Sequence, residues 1–465
     1  MRHLVLQQAT RERWSRLSAW QPRRLVPRTP AIRWRFAEIF PAGVVSASLT
    51  LYCRQALPSP PHQNHVSDQS DRPTRALHPE TLAIRTQTAT SAEREHSTPL
   101  FLTSSFVFDD AEQARALFAE EEQGNIYSRY SNPNTDEFVR KMALLEGAED
   151  GIAFASGMAA VFGSMAAYLK SGDHVLASRA LFGSTHQLFT KLFPRWGITS
   201  SYVDANASAD VWASAVQPST KLLFVETPSN PGLALIDLEM LGKLAAERGL
   251  LFVVDNCFTT PMLQQPVKWG AHLVVHSATK FIDGQGRVLG GVVVGTAKLI
   301  AELRFFIRHT GPAMSPFNAW VLSKSLETLS VRMERHCANA LAIATHFEGH
   351  DGLDFVRYPY LPSHADYALA QKQMSAGGGI VVLELKGGLE RARRFLDALE
   401  LLSHTPNLGD VRSIVTHPTS TTHSKLSEAE RLQVGIVPGL IRISVGLEHR
   451  DDIVWDIEQA LARSA

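Results

Sequence analysis

Only three cysteines, Cys53, Cys257 and Cys337, occur in 465 residues. They are too few and too scattered for a disulfide framework or a thiolate metal cluster, and this suits a reducing cytoplasm. Net charge is missing as well: 46 Lys and Arg balance 46 Asp and Glu, so nothing electrostatic draws the chain to nucleic acid. No apolar run reaches the length of a membrane span. The best stretch, 42–53, is about a dozen mixed residues and starts too far from the N-terminus for a signal peptide. The 18 histidines include no close pair within a cluster of acids or thiols, so no metal is expected, and His272 and His276 read as members of a packed strand. Internal repeats and low-complexity arrays are absent too. The remaining composition, 45% hydrophobic and 20% charged, is that of a large soluble enzyme able to bury a full core.

What is present concentrates at a few strand ends. The run 271–276 is too apolar for an exposed edge and reads as a buried strand entering the turn Ser277-Ala278-Thr279-Lys280. A lysine delivered there is partly desolvated, which lowers its pKa and frees the neutral amine as nucleophile or base. The plain alternative is a strand-end lysine with its head in water. Upstream, 250–254 forms a second buried strand that ends in Asp255-Asn256. An acid at the end of one strand and a lysine at the end of the next can work on one ligand, because open α/β sheets bind ligands at their strand C-termini. The chemistry suggested is a pyridine ring: lysine forms a Schiff base with an aldehyde, and a carboxylate keeps the ring nitrogen protonated so that the ring accepts electrons. A buried aspartate without a cationic partner would be costly, and the ring nitrogen supplies one.

A phosphate site follows the same logic. Ser156-Gly157-Met158-Ala159-Ala160 precedes a helix-like stretch, 161–169, and small residues at a helix N-terminus leave N–H groups free for an anion. Tight helix packing explains such a turn equally well. In 127–135, Tyr127 and Arg129 offer a phenol and a guanidinium to the same phosphate, the alternative being an ordinary Asn132-Pro133 turn.

These pieces, in this order, resemble the Cys/Met-metabolism family of pyridoxal-phosphate enzymes, which contains cystathionine synthases and lyases, methionine γ-lyase and the homoserine-ester sulfhydrylases. The resemblance covers residues 77–465. It implies an aspartate-aminotransferase-like α/β fold (fold type I), pyridoxal 5'-phosphate as cofactor, small-molecule substrates, and a homodimer or homotetramer with active sites shared between subunits. Matched residue by residue, it makes Lys280 the Schiff-base lysine and Asp255 the partner of the ring nitrogen. Ser277 and Thr279 become side-chain phosphate ligands, with Ser156, Gly157 and Met158 at the helix N-terminus beside them. Tyr127 and Arg129 become the pair that reaches the phosphate of the neighbouring subunit. Asn230, after the apolar strand 221–225, matches the asparagine near the cofactor's phenolic oxygen. Arg442, within the alternation 440–448, matches the arginine that pairs bidentately with the substrate α-carboxylate; in isolation it would read as a structural salt bridge. Asn407 lies where the family places another contact to that carboxylate.

Departures from the family pattern point to a branch. Phe182 stands where lyases and cystathionine synthases usually carry a tyrosine, so the aromatic stack survives without its hydroxyl, and more proton transfer falls to Lys280. Phe182, the loop 283–291 and the segment 416–423 look most like the members in which sulfide displaces succinate from Cγ of O-succinylhomoserine, giving homocysteine. A cystathionine γ-synthase, an O-acetylhomoserine sulfhydrylase and a methionine γ-lyase stay open as alternatives. Arg129 and Arg287 stay open as contacts to the terminal carboxylate of the ester, Arg287 also as the partner of a nearby acid. Cys257 reads either as close to the site or as a small core thiol. A dinucleotide enzyme is disfavoured, because no strand, Gly-rich turn and helix surround Gly284, Gly286 and Gly290.

Four segments are expected. Residues 1–76 are an Arg-rich leader: the first 75 hold about a dozen arginines, no lysine and four acids, with scattered prolines. An organelle transit peptide would look like this, but no methionine lies between Met1 and Met142 and the family resemblance starts near Leu77. We therefore expect translation to start at Val66 on a non-AUG codon, the preceding residues being disordered or a gene-model artefact. Intact-mass measurement on protein from the native host checks this, and a polypeptide beginning at Met1 contradicts it. Residues 77–130 should form an arm lying on a neighbouring subunit. Residues 131–312 should form the large cofactor domain, a mostly parallel sheet with helices on both faces. Residues 313–465 should supply a linking helix, continuous over 318–341 by its spacing, and a smaller α/β domain with an amphipathic helix over 389–402.

Overall fold

The computed structural model describes residues 76–424, 427–433 and 435–465; the leader and the expected start at Val66 lie outside them. The arm segment carries two short helices, Pro79–Arg85 and Ala111–Phe118. It leads into the helix Pro133–Glu146, which Asn132 caps by accepting from the Asn134 backbone N–H and which Gly147 ends in the left-handed conformation.

Seven strands make the larger sheet: β1 (Asp150–Phe154), β2 (His174–Ser178), β3 (Thr199–Val203), β4 (Thr220–Glu226), β5 (Leu251–Asp255), β6 (Leu273–Ser277) and β7 (Gly291–Gly295). Their spatial order is β1-β7-β6-β5-β4-β2-β3. All neighbouring pairs from β6 to β3 are parallel, and β7 runs against both β6 and β1. Alternate residues of these strands enter two different cores. Leu223, Val225, Val254 and Val274 pack on one face, while Leu222, Phe224, Val253 and Val275 pack on the other. Burial on both faces is why the strands read as continuous apolar runs rather than as alternation.

A second sheet follows, built of β8 (Leu353–Arg357), β9 (Ile380–Leu385), β10 (Ser403–His404), β11 (Ile414–Thr416) and β12 (Leu440–Ser444) in the order β10-β11-β12-β9-β8. It is antiparallel except between β10 and β11. Phe347, Phe395 and Ile457, from three separate helices, share one core with its strands.

Two helix boundaries differ from the spacing-based expectation. The stretch 318–341 is not one helix but parts of two, Pro316–Leu326 and Leu329–Phe347. Thr328 leaves helical geometry with φ −116°, and the buried Arg332 guanidinium takes the carbonyl of Ser325 at 2.9 Å together with those of Phe281 and Ile282. The Ser325 carbonyl at the end of the first helix thus takes a side-chain donor beside the Thr328 N–H of the closing turn, in place of a continuing α-helical bond. The helix expected over 389–402 occupies Gly388–Ala398, because the Asp456 carboxylate accepts from the backbone N–H groups of Glu400, Leu401 and Leu402 at 2.8–2.9 Å and draws the chain toward β10. Among the described residues no helix is long and apolar enough to cross a membrane.

Candidate active site

The C-terminal ends of β4, β5 and β6 deliver Glu226, Asp255 and Ser277 to one place, where the helix Gly157–Ala166 begins and β12 brings Arg442 from the second sheet. A cavity of about 200 Å³ opens there. Its wall contains nine of the residues singled out from the sequence: Gly157, Met158, Phe182, Asn230, Asp255, Cys257, Ser277, Lys280 and Arg442.

Lys280 sits in the turn after β6, its backbone N–H bonded to the Ser277 carbonyl. Its Nζ donates to Asn407 Oδ1 at 2.6 Å. Burial holds the ammonium below its usual pKa, and the charge of Arg442 pushes the same way. The loop carrying Asn407 is pressed onto the lysine: a side chain at Gly409, whose φ is +76°, would put Cβ 2.4 Å from the Phe281 nitrogen and 2.8 Å from the Lys280 carbonyl carbon. Only glycine fits there.

Asp255 closes β5 directly opposite Glu226 in the parallel pairing of β4 with β5. Burial pushes Asp255 up to about 6, against the opposing influence of a 3.1 Å bond from the Cys257 N–H and of nearby His276. Glu226 is raised well above the carboxylate range, first by burial and then by the charge of Asp255. Asp255 forms no ion pair among the described residues, since His276 is engaged with Glu146 at 2.6 Å. A carboxyl so placed calls for a cation from outside the chain.

That placement gives a pH prediction. The proton on Asp255 is held more tightly in the folded chain, at about 6 against 3.8 unfolded. Its contribution to stability is therefore full below the unfolded value and is lost as pH rises through the folded one, by about 3 kcal/mol. A ligand that sets a cation against Asp255 relieves this penalty. The gain in Tm on adding pyridoxal phosphate to cofactor-free protein is expected to grow between about pH 5 and pH 7.5, and to lose most of that growth in Asp255→Asn. A pH-independent gain, or the same slope in the variant, contradicts the assignment.

The expected phosphate residues behave in three ways. Ser156 caps the helix Gly157–Ala166 by accepting from the Ala159 N–H, which leaves the N–H groups of the first turn directed at the cavity end. Gly157 lies against β6: an added Cβ would stand 2.5 Å from both Cβ and Oγ of Ser277, so glycine is what lets the helix and the Ser277 hydroxyl share one corner. Thr279 is not in the cavity wall, and its Oγ1 exchanges hydrogen bonds with the backbone of Gly290 at 3.1 and 3.3 Å.

Arg442 is 2% exposed, yet no carboxylate among the described residues pairs with it. One Nη donates to Asn230 Oδ1 at 3.0 Å, and the other to the carbonyls of Asn407 at 2.9 Å and Pro406 at 3.3 Å. Nε is buried without a partner, and burial lowers the guanidinium to about 10. Three neutral acceptors hold the fork in place and leave its charge uncompensated, which suits an incoming carboxylate.

Tyr127 and Arg129 are not brought to this cavity. Tyr127 is 42% exposed, while Arg129 donates to the Arg308 carbonyl and stacks on Tyr130 at 4.8 Å. Arg287 is also elsewhere, tied to Asp283 at 3.0 Å and to the Ser325 hydroxyl. Cys257 does face the cavity, its thiol pushed up by burial and by Asp255. Glu226 had been passed over, although it ends β4 as Asp255 ends β5. Applying the strand-end rule to every apolar strand would have found it. Among the described residues no group of three or more His, Cys, Asp or Glu is arranged to hold a metal ion.

Pyridoxal phosphate fits this set: a half-buried carboxyl without an ion-pair partner for a ring nitrogen, a helix N-terminus with Ser277 for a phosphate, an aromatic ring at Phe182, and a low-pKa amine at Lys280. The family model described as Cys/Met metabolism PLP-dependent enzyme matches residues 80–462. The chain is 48% identical over 383 residues to an O-succinylhomoserine sulfhydrylase of Pseudomonas aeruginosa, covering 82% of this chain and 95% of that protein. It is 40% identical over 386 residues to an L-methionine gamma-lyase of Fusobacterium nucleatum, covering 82% and 98%. A candidate O-acetylhomoserine (thiol)-lyase of Campylobacter jejuni, whose crystal structure carries N'-pyridoxyl-lysine-5'-monophosphate, superimposes with a TM-score of 0.80 at 34% identity, over 83% of this chain and 100% of that one.

Proposed function

This chain belongs to the Cys/Met metabolism family of PLP-dependent enzymes, and from that premise we propose that it converts O-succinylhomoserine and hydrogen sulfide to homocysteine and succinate. The observation that carries the reading is the 48% identity, over 82% of the chain, to an O-succinylhomoserine sulfhydrylase. Phe182 in the cavity wall supports it, because an aromatic stack without a hydroxyl leaves proton transfer to the lysine.

The cofactor, when bound, supplies an electron-poor ring that accepts the electron pair left at Cα. Its ring nitrogen would be held by Asp255, its phosphate by Ser277 and the turn of Ser156, Gly157 and Met158, and its phenolic oxygen by Asn230. Arg442, assisted by Asn407, binds the substrate α-carboxylate and fixes which Cα bond faces Lys280. Burial keeps a neutral amine accessible on Lys280, and this amine takes the Cα proton. Lys280 passes the Cα proton on to the bound cofactor and, as a neutral amine again, takes a proton from Cβ; the ester oxygen leaves Cγ as succinate, and the sulfur of sulfide adds at Cγ. The protons removed from Cα and Cβ return to those carbons, and homocysteine departs. Sulfide, being small, needs no recognition pocket of its own.

A homodimer or homotetramer completes the site in this reading, with Tyr127 and Arg129 given to the phosphate of the neighbouring subunit. The exposure of Tyr127 and its absence from the chain's own cavity wall support that exchange. A reducing cytoplasm suits the free thiols of Cys257 and Cys337.

Steady-state comparison of O-succinyl- and O-acetylhomoserine, each with sulfide and with cysteine, tests the proposal. The succinyl ester with sulfide is expected to give the highest kcat/KM, by about tenfold or more over each other pairing. A preference for cysteine makes the chain a cystathionine γ-synthase, and a preference for the acetyl ester moves the substrate.

A further inference from the structure

Glu226 is the one buried carboxyl in the cavity wall that the reaction just described leaves unused. It is 5% exposed and forms no ion pair among the described residues, and it stands next to another carboxyl across the β4–β5 pairing. Such a placement is expensive unless both oxygens are satisfied. They are, by two segments that have nothing else in common: Oε2 accepts from the Phe182 N–H at 2.8 Å, and Oε1 accepts from the Asn230 N–H at 3.1 Å. From Asn230 the connections continue. Asn230 Oδ1 accepts from Arg442 at 3.0 Å, Arg442 donates to the Asn407 carbonyl at 2.9 Å, and Asn407 Oδ1 accepts from Lys280 Nζ at 2.6 Å.

We propose that Glu226 is a positioning residue for substrate binding: through the Asn230 backbone it fixes the side chain that aims Arg442, and through the Phe182 backbone it fixes the ring across the same cavity. The inference rests on the assignment of Arg442 to the substrate α-carboxylate. Its logic is that of a double acceptor. Two N–H groups from separate segments converge on one side chain, and only a carboxyl offers each an oxygen. A glutamine at this position has one oxygen, so its NH2 would face one of the two N–H donors, and either Phe182 or Asn230 would be released. Neither Arg442 nor Lys280 hydrogen-bonds to Glu226, whose partners are the N–H groups of Phe182 and Asn230, so its effect on Arg442 has to pass through Asn230.

The test uses cofactor-loaded protein and L-norleucine, an amino acid that has the α-carboxylate but no leaving group at Cγ. Its Kd is read from the absorbance change of the bound cofactor, in the wild type, Glu226→Gln, Asn230→Ala and the double variant. Glu226→Gln is expected to raise Kd about tenfold, with the bound-cofactor spectrum retained. In the Asn230→Ala background the same change is expected to have little further effect, since the path is already broken. In turnover, KM for the homoserine ester should rise more than kcat falls. If Glu226→Gln does not fold, Glu226→Asp takes its place in the cycle, retaining two acceptors but withdrawn by one methylene.

An unchanged norleucine Kd in a loaded Glu226 variant overturns the proposal. So does an equal effect with and without Asn230, or a wild type that binds no norleucine. Failure of both variants to fold assigns Glu226 to structure and overturns it as well. A wild type that binds norleucine but makes no homocysteine contradicts the proposed reaction and leaves the positioning role standing.

Discussion

Lys280→Ala is expected to reduce homocysteine formation by about 10⁴-fold or more, to the limit of detection. In this reading the one side chain is both the covalent anchor of the cofactor and the proton carrier for Cα and Cβ, and Phe182 offers no hydroxyl as a substitute. The variant should still fold. Burial already penalises the ammonium of Lys280, so removing it takes a poorly solvated charge out of the interior, and Tm should hold or rise. The variant should also lose the visible absorbance of covalently held cofactor. Turnover within about tenfold of wild type, or an unchanged spectrum, contradicts the role given to Lys280.

Arg442→Lys carries the second largest expectation, a fall in kcat/KM of about a hundredfold or more, equivalent to about 3 kcal/mol, expressed mainly in KM. The substitution keeps a positive charge and is conservative only in that respect. Asn230, Asn407 and Pro406 together grip two nitrogens of the guanidinium, and the planar fork presents the rest of its donors at a fixed angle. An ammonium is a compact charge without that fork. It would have to satisfy three neutral acceptors and a carboxylate from one atom. Steady-state kinetics at saturating sulfide measure the effect, and an unchanged KM for the ester would remove Arg442 from substrate recognition.

The sequence disclosed different parts of this site for different reasons. Lys280 and Asp255 were visible because each closes an apolar run, and β5 and β6 lie side by side in the sheet. The mostly parallel sheet was visible for the same reason, since burial on two faces writes uninterrupted Val, Leu and Phe into the chain. Arg442 stood out as a guanidinium inside a strand, but its partners did not. Asn230 and Arg442 are 212 residues apart and meet across two sheets, and nothing local in either segment encodes that approach. The break between Pro316–Leu326 and Leu329–Phe347 was hidden likewise, because Arg332 reaches carbonyls of another segment, at Phe281 and Ile282, as well as Ser325. Glu226 carries the same signal as Asp255, an acid closing an apolar strand, here followed directly by a Pro- and Asn-rich turn. Arg287 takes the plainer of its two readings, a loop arginine whose charge is spent on Asp283 four residues upstream.

The central claim, that Lys280 holds the cofactor in this cavity, is tested most directly by reducing the loaded protein with borohydride and mapping the pyridoxyl group by peptide mass spectrometry. The account predicts a single modified peptide, the one containing Lys280, and none from Lys280→Ala treated in the same way. Modification at another lysine, or an unmodified Lys280 peptide from active protein, would contradict it.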